Sequence, residues 1–394
     1  MLKEKIKELS EKYFEQTVAN RRYLHQHPEL SFHEYNTVKF VASKLDELGI
    51  SYKSMANTGL VALLKGNKTS EKVVALRGDM DALPITELND VPYKSSINGV
   101  MHACGHDAHT ASLLGCAYIL NELKNDFSGT VKFIFQPAEE KLPGGASQMI
   151  IEGVLNNPIP NAIIGQHVMP LIETGKVGFK SGKYMASTDE IYVTVKGKGG
   201  HGAMPNLNID PILITSHIII ALQQIVSRNA DPKTPSVLSF GKIMGMGATN
   251  VIPNEVLLEG TFRTMDEKWR TEAHTKMKKM AEMMAESMGG TCEFNIVRGY
   301  PFLVNEPELT EQLRKNAEEY LGAENVVDLD IWMAAEDFAY FSQEKSACFY
   351  RLGTRNEKRG ITSSVHTPTF DIDESSLLIG SGLMAYLAIK NLGN

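Results

Sequence analysis

A chain of 394 residues is long for a single domain and can bury ample core, so two domains are expected. Its formal charge of -7, with acidic and basic residues interspersed, gives no electrostatic footprint for nucleic acid or an anionic membrane, and neither partner is expected. Met1 to Ile6 contains no apolar signal core, and Ile209 to Leu222, interrupted by Asp210 and His217, reads as too short to span a bilayer. Cys104, Cys116, Cys292 and Cys348 stand far apart without a Cys-x-x-Cys pair, so a cytoplasmic protein with reduced thiols is the expectation.

Leu2, Ile6, Leu9, Tyr13 and Thr17-Val18 recur at helical spacing until Pro28 and predict one opening amphipathic helix. Three short apolar runs then read as strands: Val73 to Leu76, Val131 to Phe135 and Ala162 to Ile164. Each empties into polar residues. The first delivers Arg77-Gly78-Asp79-Met80-Asp81, the second Gln136-Pro137-Ala138-Glu139-Glu140 and the third Gly165-Gln166-His167. Between the first two lies a helix that begins near Asp107 and carries Leu113, Leu114, Ala117, Leu120 and Leu123. Strands interleaved with helices predict an α/β fold, a mixed and mostly parallel sheet flanked by helices, whose ligands gather beyond the carboxyl ends of the strands. The three polar tails are then neighbours.

Residues 186–299 follow a different rhythm. Ile191, Val193 and Val195 alternate as a strand, Pro211 to Arg228 is helical, Ser236 to Phe240 and Glu255 to Arg263 are strands, Glu267 to Met288 is helical, and Thr291 to Val297 is again a strand. This β-α-β-β-α-β order predicts an inserted ferredoxin-like domain. A first catalytic segment then covers 1–185, and a second covers 300–394 with a helix from Glu308 to Tyr320 and a strand from Ala347 to Leu352. The glycines of 197–202 and 245–247 lack the spacing and the Lys-Ser/Thr pair of a phosphate loop and read as tight turns.

The chemistry concentrates in Met101-His102-Ala103-Cys104-Gly105-His106-Asp107-Ala108-His109, where a thiol and imidazoles surround a glycine at the start of a helix. Thiolate and imidazole are strong ligands for a borderline first-row cation, and a helix N-terminus favours the thiolate. Together with the strand tails, Asp79, Asp81, Cys104, His106, Glu139, Glu140 and His167 exceed what one four-coordinate ion needs. Two cations sharing a ligand is the economical reading, and a two-metal site suits amide hydrolysis. A carboxylate bound to metal cannot also carry protons, so one of Glu139 and Glu140 ligates and the other serves as general base. Asp79 either ligates or pairs with Arg77.

The strings Arg77 to Pro84, His102 to Asp107, Gln136 to Glu140, Gly199-Gly200-His201-Gly202-Ala203 and His366-Thr367-Pro368 closely resemble the metal-dependent aminoacylase/carboxypeptidase family, which includes hippurate hydrolases and auxin-conjugate amidohydrolases. Five motifs in order span essentially the whole chain. The resemblance implies that Cys104 bridges two metals, that His106 and His167 serve one ion and Glu140 and His366 the other, and that Glu139 is the base. It further implies that Asp81 orients a ligand and that His201 reaches across a homodimer, formed through the inserted lid and dimerisation domain, to the oxyanion. Wider relatives carry His-x-Asp and a bridging Asp where this chain has Asp79-Met80-Asp81 and Cys104, so the softer bridge leaves zinc, manganese, cobalt and nickel all open as the native metal.

The expected substrate is an N-acyl amino acid or a short peptide with a free carboxylate, cleaved by aminoacylase or by carboxypeptidase and dipeptidase chemistry. Arg263, at the end of an inserted-domain strand, suits a bidentate contact to that carboxylate, with Asn250 as a second candidate. A metal-free cysteine hydrolase with Cys104 as nucleophile is a rival reading, and a non-catalytic binding protein is another, against which the base Glu139 argues. His25, His27 and His33 receive no chemistry. His109 reads as a residue of the first helical turn or a support behind the ligands; Glu336-Asp337 resembles a motif of the same family and reads as structural or as such a support; and Met277, Met280, Met283 and Met284 read as core or interface packing.

Overall fold

A computed structural model describes residues 2–393 and divides them into two compact units. The first unit comprises the chain up to Tyr184, Val304–Ile331 and everything from Asp337 onward; the second comprises Met185–Leu303 with Trp332–Glu336. The return of 332–336 to the second unit has no signal in the sequence, because it consists of backbone pairing: Ala186 N–H donates to the carbonyls of Trp332 (3.2 Å) and Ala334 (3.0 Å).

The first unit is built on an eight-stranded sheet. In chain order its strands are β1 (Tyr52–Met55), β2 (Gly59–Lys65), β3 (Lys68–Asp79), β4 (Ser128–Gln136), β5 (Ala162–Glu173), β6 (Val177–Phe179), β7 (Val326–Asp328) and β8 (Ala347–Arg355). They lie in the order β1-β2-β4-β3-β5-β8-β6-β7. The central strands β4, β3, β5 and β8 run parallel, β1 and β2 meet their neighbours antiparallel, and β6 lies antiparallel to β8 but parallel to β7. The helices are α1 (Leu2–Lys12), α2 (Phe14–Gln26), α3 (Tyr35–Glu47), α4 (His106–Glu122), α5 (Gly145–Ile151), α6 (Pro307–Leu321), α7 (Ala339–Glu344) and α8 (Ser376–Asn391). The single opening helix expected from Leu2 to Pro28 is thus two helices. Tyr13 breaks it, stacking on Tyr118 at a centroid distance of 5.3 Å while its hydroxyl donates to Glu122.

Helix α4 is buried on every side from His106 to Leu120, and α8 is buried almost as completely. A helix that is apolar all round belongs in the interior. Leu113, Leu114, Ala117, Leu383 and Leu387 join β-strand residues such as Leu76, Phe133 and Ile164 in one continuous core. This packing fixes the N-terminus of α4, and with it Cys104 and His106.

The second unit holds a four-stranded antiparallel sheet in the order 236–244, 255–264, 189–196, 291–298. The helices Pro211–Gln224 and Glu267–Ser287 supply Ile214, Ile218, Leu222, Met277 and Ala281 to its core, so the chain order is β-α-β-β-α-β. The first helix continues through a π turn to Asn229, one residue beyond the expected Arg228, and reaches 19 residues at a mean hydropathy of 1.2, which is span length although the apolar stretch Ile209 to Leu222 alone read as too short. One stripe of it packs on the sheet through Ile214, Ile218, Leu222 and Ile225.

Candidate active site

Adjacent parallel strands bring the polar tails together. Asp79 on β3 pairs with Gln136 on β4, and Arg77 on β3 pairs with Gly165 on β5, two residues before His167. Gly105 places the loop before α4 against β5. Its φ of 84° lies in the left-handed region, and a Cβ there would sit 2.5 Å from Val168 Cγ2, so no other residue fits without movement. His366 arrives from the loop between β8 and α8 with φ 61°, and its N–H donates to Ala103 O at 2.7 Å. Left-handed non-glycine residues persist only where their surroundings over-determine them, and they gather at functional sites.

The result is two triads of ligand-type side chains that share Cys104: Cys104, His106 and His167, and Cys104, Glu140 and His366, with ligand atoms in each within 4.8 Å of one another. Cys104 Sγ lies 3.5 Å from His167 Nε2 and 3.3 Å from His366 Nε2. Glu140 Oε1 lies 3.2 Å from His366 Nε2 and 3.9 Å from His106 Nε2. The first triad is wholly buried. The second opens to solvent, with the His366 side chain 51% exposed.

The tautomers follow from the partners. His167 Nδ1 faces the carbonyl of Val168 at 2.7 Å, so it carries the proton and leaves Nε2 as a lone pair toward Cys104. His106 Nδ1 lies 3.1 Å from Asp81 Oδ1, and its Nε2 faces the site. Asp81 is held in turn by the Ser31 hydroxyl (2.6 Å) and the Glu140 N–H (3.0 Å). Among the described residues His106 Nε2 is buried and takes part in no hydrogen bond, a costly state for a polar atom unless a cation completes it, and the buried Glu140 Oε1 faces the His366 and His106 imidazole nitrogens. Thiol, imidazole and carboxylate around such atoms fit divalent first-row metals.

Charge without a cation is awkward here. Burial, reinforced by Glu140, pushes the Cys104 thiol up, whereas Cys104 and Glu140 pull the His366 imidazole up to about 10. A metal ion would replace these protons. Burial holds the His167 imidazole well below its usual range and so in the neutral, ligating form.

Asp79 and His109 lie at the same place with a different role. Val168 N–H donates to His109 Nε2 at 2.8 Å, so Nδ1 carries the proton and donates to Asp79 Oδ1 at 2.5 Å. Both ring nitrogens are occupied within the protein. Asp79 Oδ2 accepts from Arg77 Nη1 at 2.6 Å and stands 3.7 Å from His106 Nε2. Despite burial, which opposes it, the Arg77 guanidinium and the two histidines hold the Asp79 carboxyl well below the ordinary range.

Glu139 is buried beside the second triad, in a ligand-type group with His106 and Glu140. Its Oε1 accepts from Asp337 N–H at 3.4 Å. Beneath it, the buried Arg77 binds Asp337 through Nη2 (2.9 Å) and Gln136 through Nε (2.8 Å), and Gln136 Nε2 donates to Asp337 at 2.8 Å. The sequence pointed to the Arg77–Asp79 pair and to a supporting role for Asp337, but gave no sign that Arg77, Gln136 and Asp337 join beneath Glu139. His25, left without chemistry above, is buried and donates through Nδ1 to Asp107 (2.8 Å), which also accepts from Arg21 Nε (2.8 Å). The i, i+4 spacing of Arg21 and His25 on α2 was its only visible trace.

The other three expected site residues lie in the second unit. His201 is exposed on a two-residue strand, where its Nδ1 accepts from Ala203 N–H at 3.1 Å and its Nε2 therefore carries the proton. Val251 pairs with it, and Asn250 O accepts from Gly202 N–H at 2.8 Å, so His201 and Asn250 are neighbours. Arg263, on the strand Glu255–Thr264, keeps a buried Nη1 that donates no hydrogen bond.

A model of peptidase family M20/M25/M40 matches residues 75–390. Thermostable carboxypeptidase 2 of Saccharolobus solfataricus is 40% identical, over 99% of this chain and 98% of its own length. N-acetylcysteine deacetylase of Bacillus subtilis is 38% identical, over 97% of this chain and 98% of its own. The crystal structure of the Bacillus subtilis YXEP protein, described as a dinuclear metal binding peptidase from the M20 family, superposes with a TM-score of 0.83 at 35% identity, covering 97% of this chain and 99% of that one.

Proposed function

Because the chain belongs to peptidase family M20/M25/M40, a family of metal-dependent hydrolases, we propose that it cleaves the amide bond of N-acyl amino acids that carry a free carboxylate. The observation that carries this reading is the pair of ligand triads sharing Cys104, with Glu139 beside the solvent-facing one. In it, Cys104, His106 and His167 would hold one divalent ion and Cys104, Glu140 and His366 would hold a second; zinc and manganese are the leading candidates, with cobalt and nickel as alternatives. When bound, these ions supply Lewis-acid polarisation of the scissile carbonyl and acidify a water. Glu139 takes the proton of the attacking water and passes it to the departing nitrogen. Asp81 fixes the His106 tautomer.

The second unit supplies recognition in the same reading. Arg263, with an unpartnered buried N–H, and Asn250 take the substrate carboxylate, and His201 donates Nε2–H to the tetrahedral oxyanion of the partner subunit's site. A homodimer through this unit is supported by its apolar surface: Leu213 and Ile220 on the helix Pro211–Gln224 are 51% and 72% exposed, and Ile243 on the edge strand is 53% exposed. The composition favours a cytoplasmic enzyme. Cleavage of the C-terminal residue from short peptides is the second reading, favoured by the carboxypeptidase relative.

The test is a panel of acetyl, benzoyl and indole-acetyl amino acids and dipeptides, assayed with each of the four metals before and after chelation. Activity lost to a chelator and restored by a divalent ion is expected, with acyl amino acids turned over faster than dipeptides. Chelator-resistant hydrolysis would instead support Cys104 as a nucleophile.

A further inference from the structure

Glu34 is a wholly buried carboxyl that the mechanism above does not use. It stands at the N-terminus of α3, yet it does not cap that helix. The first free amides, Asn36 N–H and Thr37 N–H, are both taken by Glu29 Oε2 at 2.8 Å. Glu34 instead spans two segments distant in sequence: Oε2 accepts from the Thr58 hydroxyl at 2.6 Å, and Oε1 accepts from Ala138 N–H at 2.7 Å.

Ala138 is the residue before Glu139, and its φ of 50° is left-handed. A non-glycine residue holds that conformation only against a cost, so the groups that clamp its peptide decide whether it persists. Glu34 holds the N–H. Gly145 holds the other end, its N–H donating to Ala138 O at 3.0 Å, and its missing side chain lets Pro137 O approach where a Cβ would sit 1.8 Å away. Glu140, one residue further, has a separate backbone anchor in Asp81 Oδ2, at 3.0 Å. The clamp therefore bears on Glu139 more than on the ligand that follows it.

We infer that Glu34 is a positioning residue for the general base, fixing the Glu139 carboxylate through the strained peptide of Ala138. This rests on the reading of Glu139 as base. The geometry sets the requirement: a side chain of glutamate length with one oxygen toward Ala138 N–H and a polar atom toward Thr58. Glutamine meets it, its oxygen accepting from Ala138 and its amide donating to the Thr58 hydroxyl oxygen. Aspartate keeps the charge but falls one methylene short of bridging the two.

The experiment compares Glu34→Asp, Glu34→Gln and Glu139→Gln by steady-state kinetics, metal content and melting temperature. Glu34→Asp is expected to lower kcat about tenfold to a hundredfold, the scale of a misplaced catalytic group, with KM and metal content unchanged. Glu34→Gln is expected to stay within about threefold of wild type. Wild-type kcat in Glu34→Asp, equal impairment of both variants, or a loss of kcat that tracks loss of metal would each overturn the inference. If Glu34→Asp does not fold, Thr58→Val, which removes the carboxyl's second anchor, must lower kcat without raising KM; wild-type kcat there overturns it as well. An active Glu139→Gln protein would refute the base assignment itself, whereas an inactive one beside an unimpaired Glu34→Asp refutes only the positioning.

Discussion

Each unit contains a buried arginine clasped by carboxylates, and the two clusters do different work. In the second unit Arg270 grips Asp189 with two bonds, Nε to Oδ2 at 2.9 Å and Nη2 to Oδ1 at 2.6 Å, and its remaining donors reach Thr188 O, Gly299 O and Glu267. Asp189 also accepts from His274, so the cluster ties the helix Glu267–Ser287 to the start of the strand Asp189–Lys196. In the first unit Arg77 grips Asp79 and Asp337, whose other contacts lead to His109, to Gln136 and, through the Asp337 backbone, to Glu139. The same ion-pair chemistry closes on itself in one unit and continues toward ligand-type side chains in the other. A buried salt bridge is thus read by where its partners lead, since its own net stability is small.

The largest effect on the first unit's side of this comparison is expected from Glu139→Gln. It should retain both metals and lose about a hundredfold to ten-thousandfold in turnover, measured by metal analysis and kcat. Activity near wild type would remove Glu139 from the chemistry. Next, Arg77→Met and Arg270→Met should each cost about 3–5 kcal/mol in urea unfolding, because each leaves carboxylates buried without their partner. Only Arg77→Met should also weaken metal binding and lower kcat. Equal metal affinity in the two variants would erase the distinction drawn above.

A smaller effect concerns pH. Burial, with a contribution from Asp81, raises the Glu34 carboxyl from 4.5 to about 7 in the metal-free fold. A carboxyl whose folded value is raised favours the folded state fully below the unfolded value, and that contribution is lost as pH rises through the folded one. The stability of wild type minus that of Glu34→Gln, both metal-free, should therefore fall by about 3 kcal/mol between pH 4.5 and 7.5. A difference that stays constant with pH would mean that the carboxyl titrates normally.

The parts of the site legible in the sequence are those carried by short runs at strand exits. Glu139, Glu140 and His167 stand within a few residues of apolar strands that the fold places side by side, so their gathering follows from a parallel sheet, and Cys104 and His106 open the buried helix that packs on it. His366 was visible only through family resemblance, because its left-handed backbone and its bond to Ala103 depend on a loop 262 positions from Cys104. Arg77 and Asp337 are 260 positions apart and lie under the site rather than in it. No periodicity announces such a pair. Glu34 was missed for the same reason, since its partners, Thr58 and Ala138, are bound through topology and not through a motif. In the second unit the alternation of the strand Asp189–Lys196 located the sheet, but the value of His201 and Asn250, exposed on a short strand pair, depends on a surface that the sequence does not describe.

The central claim is that two ions share Cys104. Anomalous scattering from crystals of the protein grown with zinc, and separately with manganese, tests it most directly. Two peaks are expected, both in contact with Cys104 Sγ, one also touched by His106 and His167 and the other by Glu140 and His366. A single peak, or a second ion that does not touch Cys104, would contradict it.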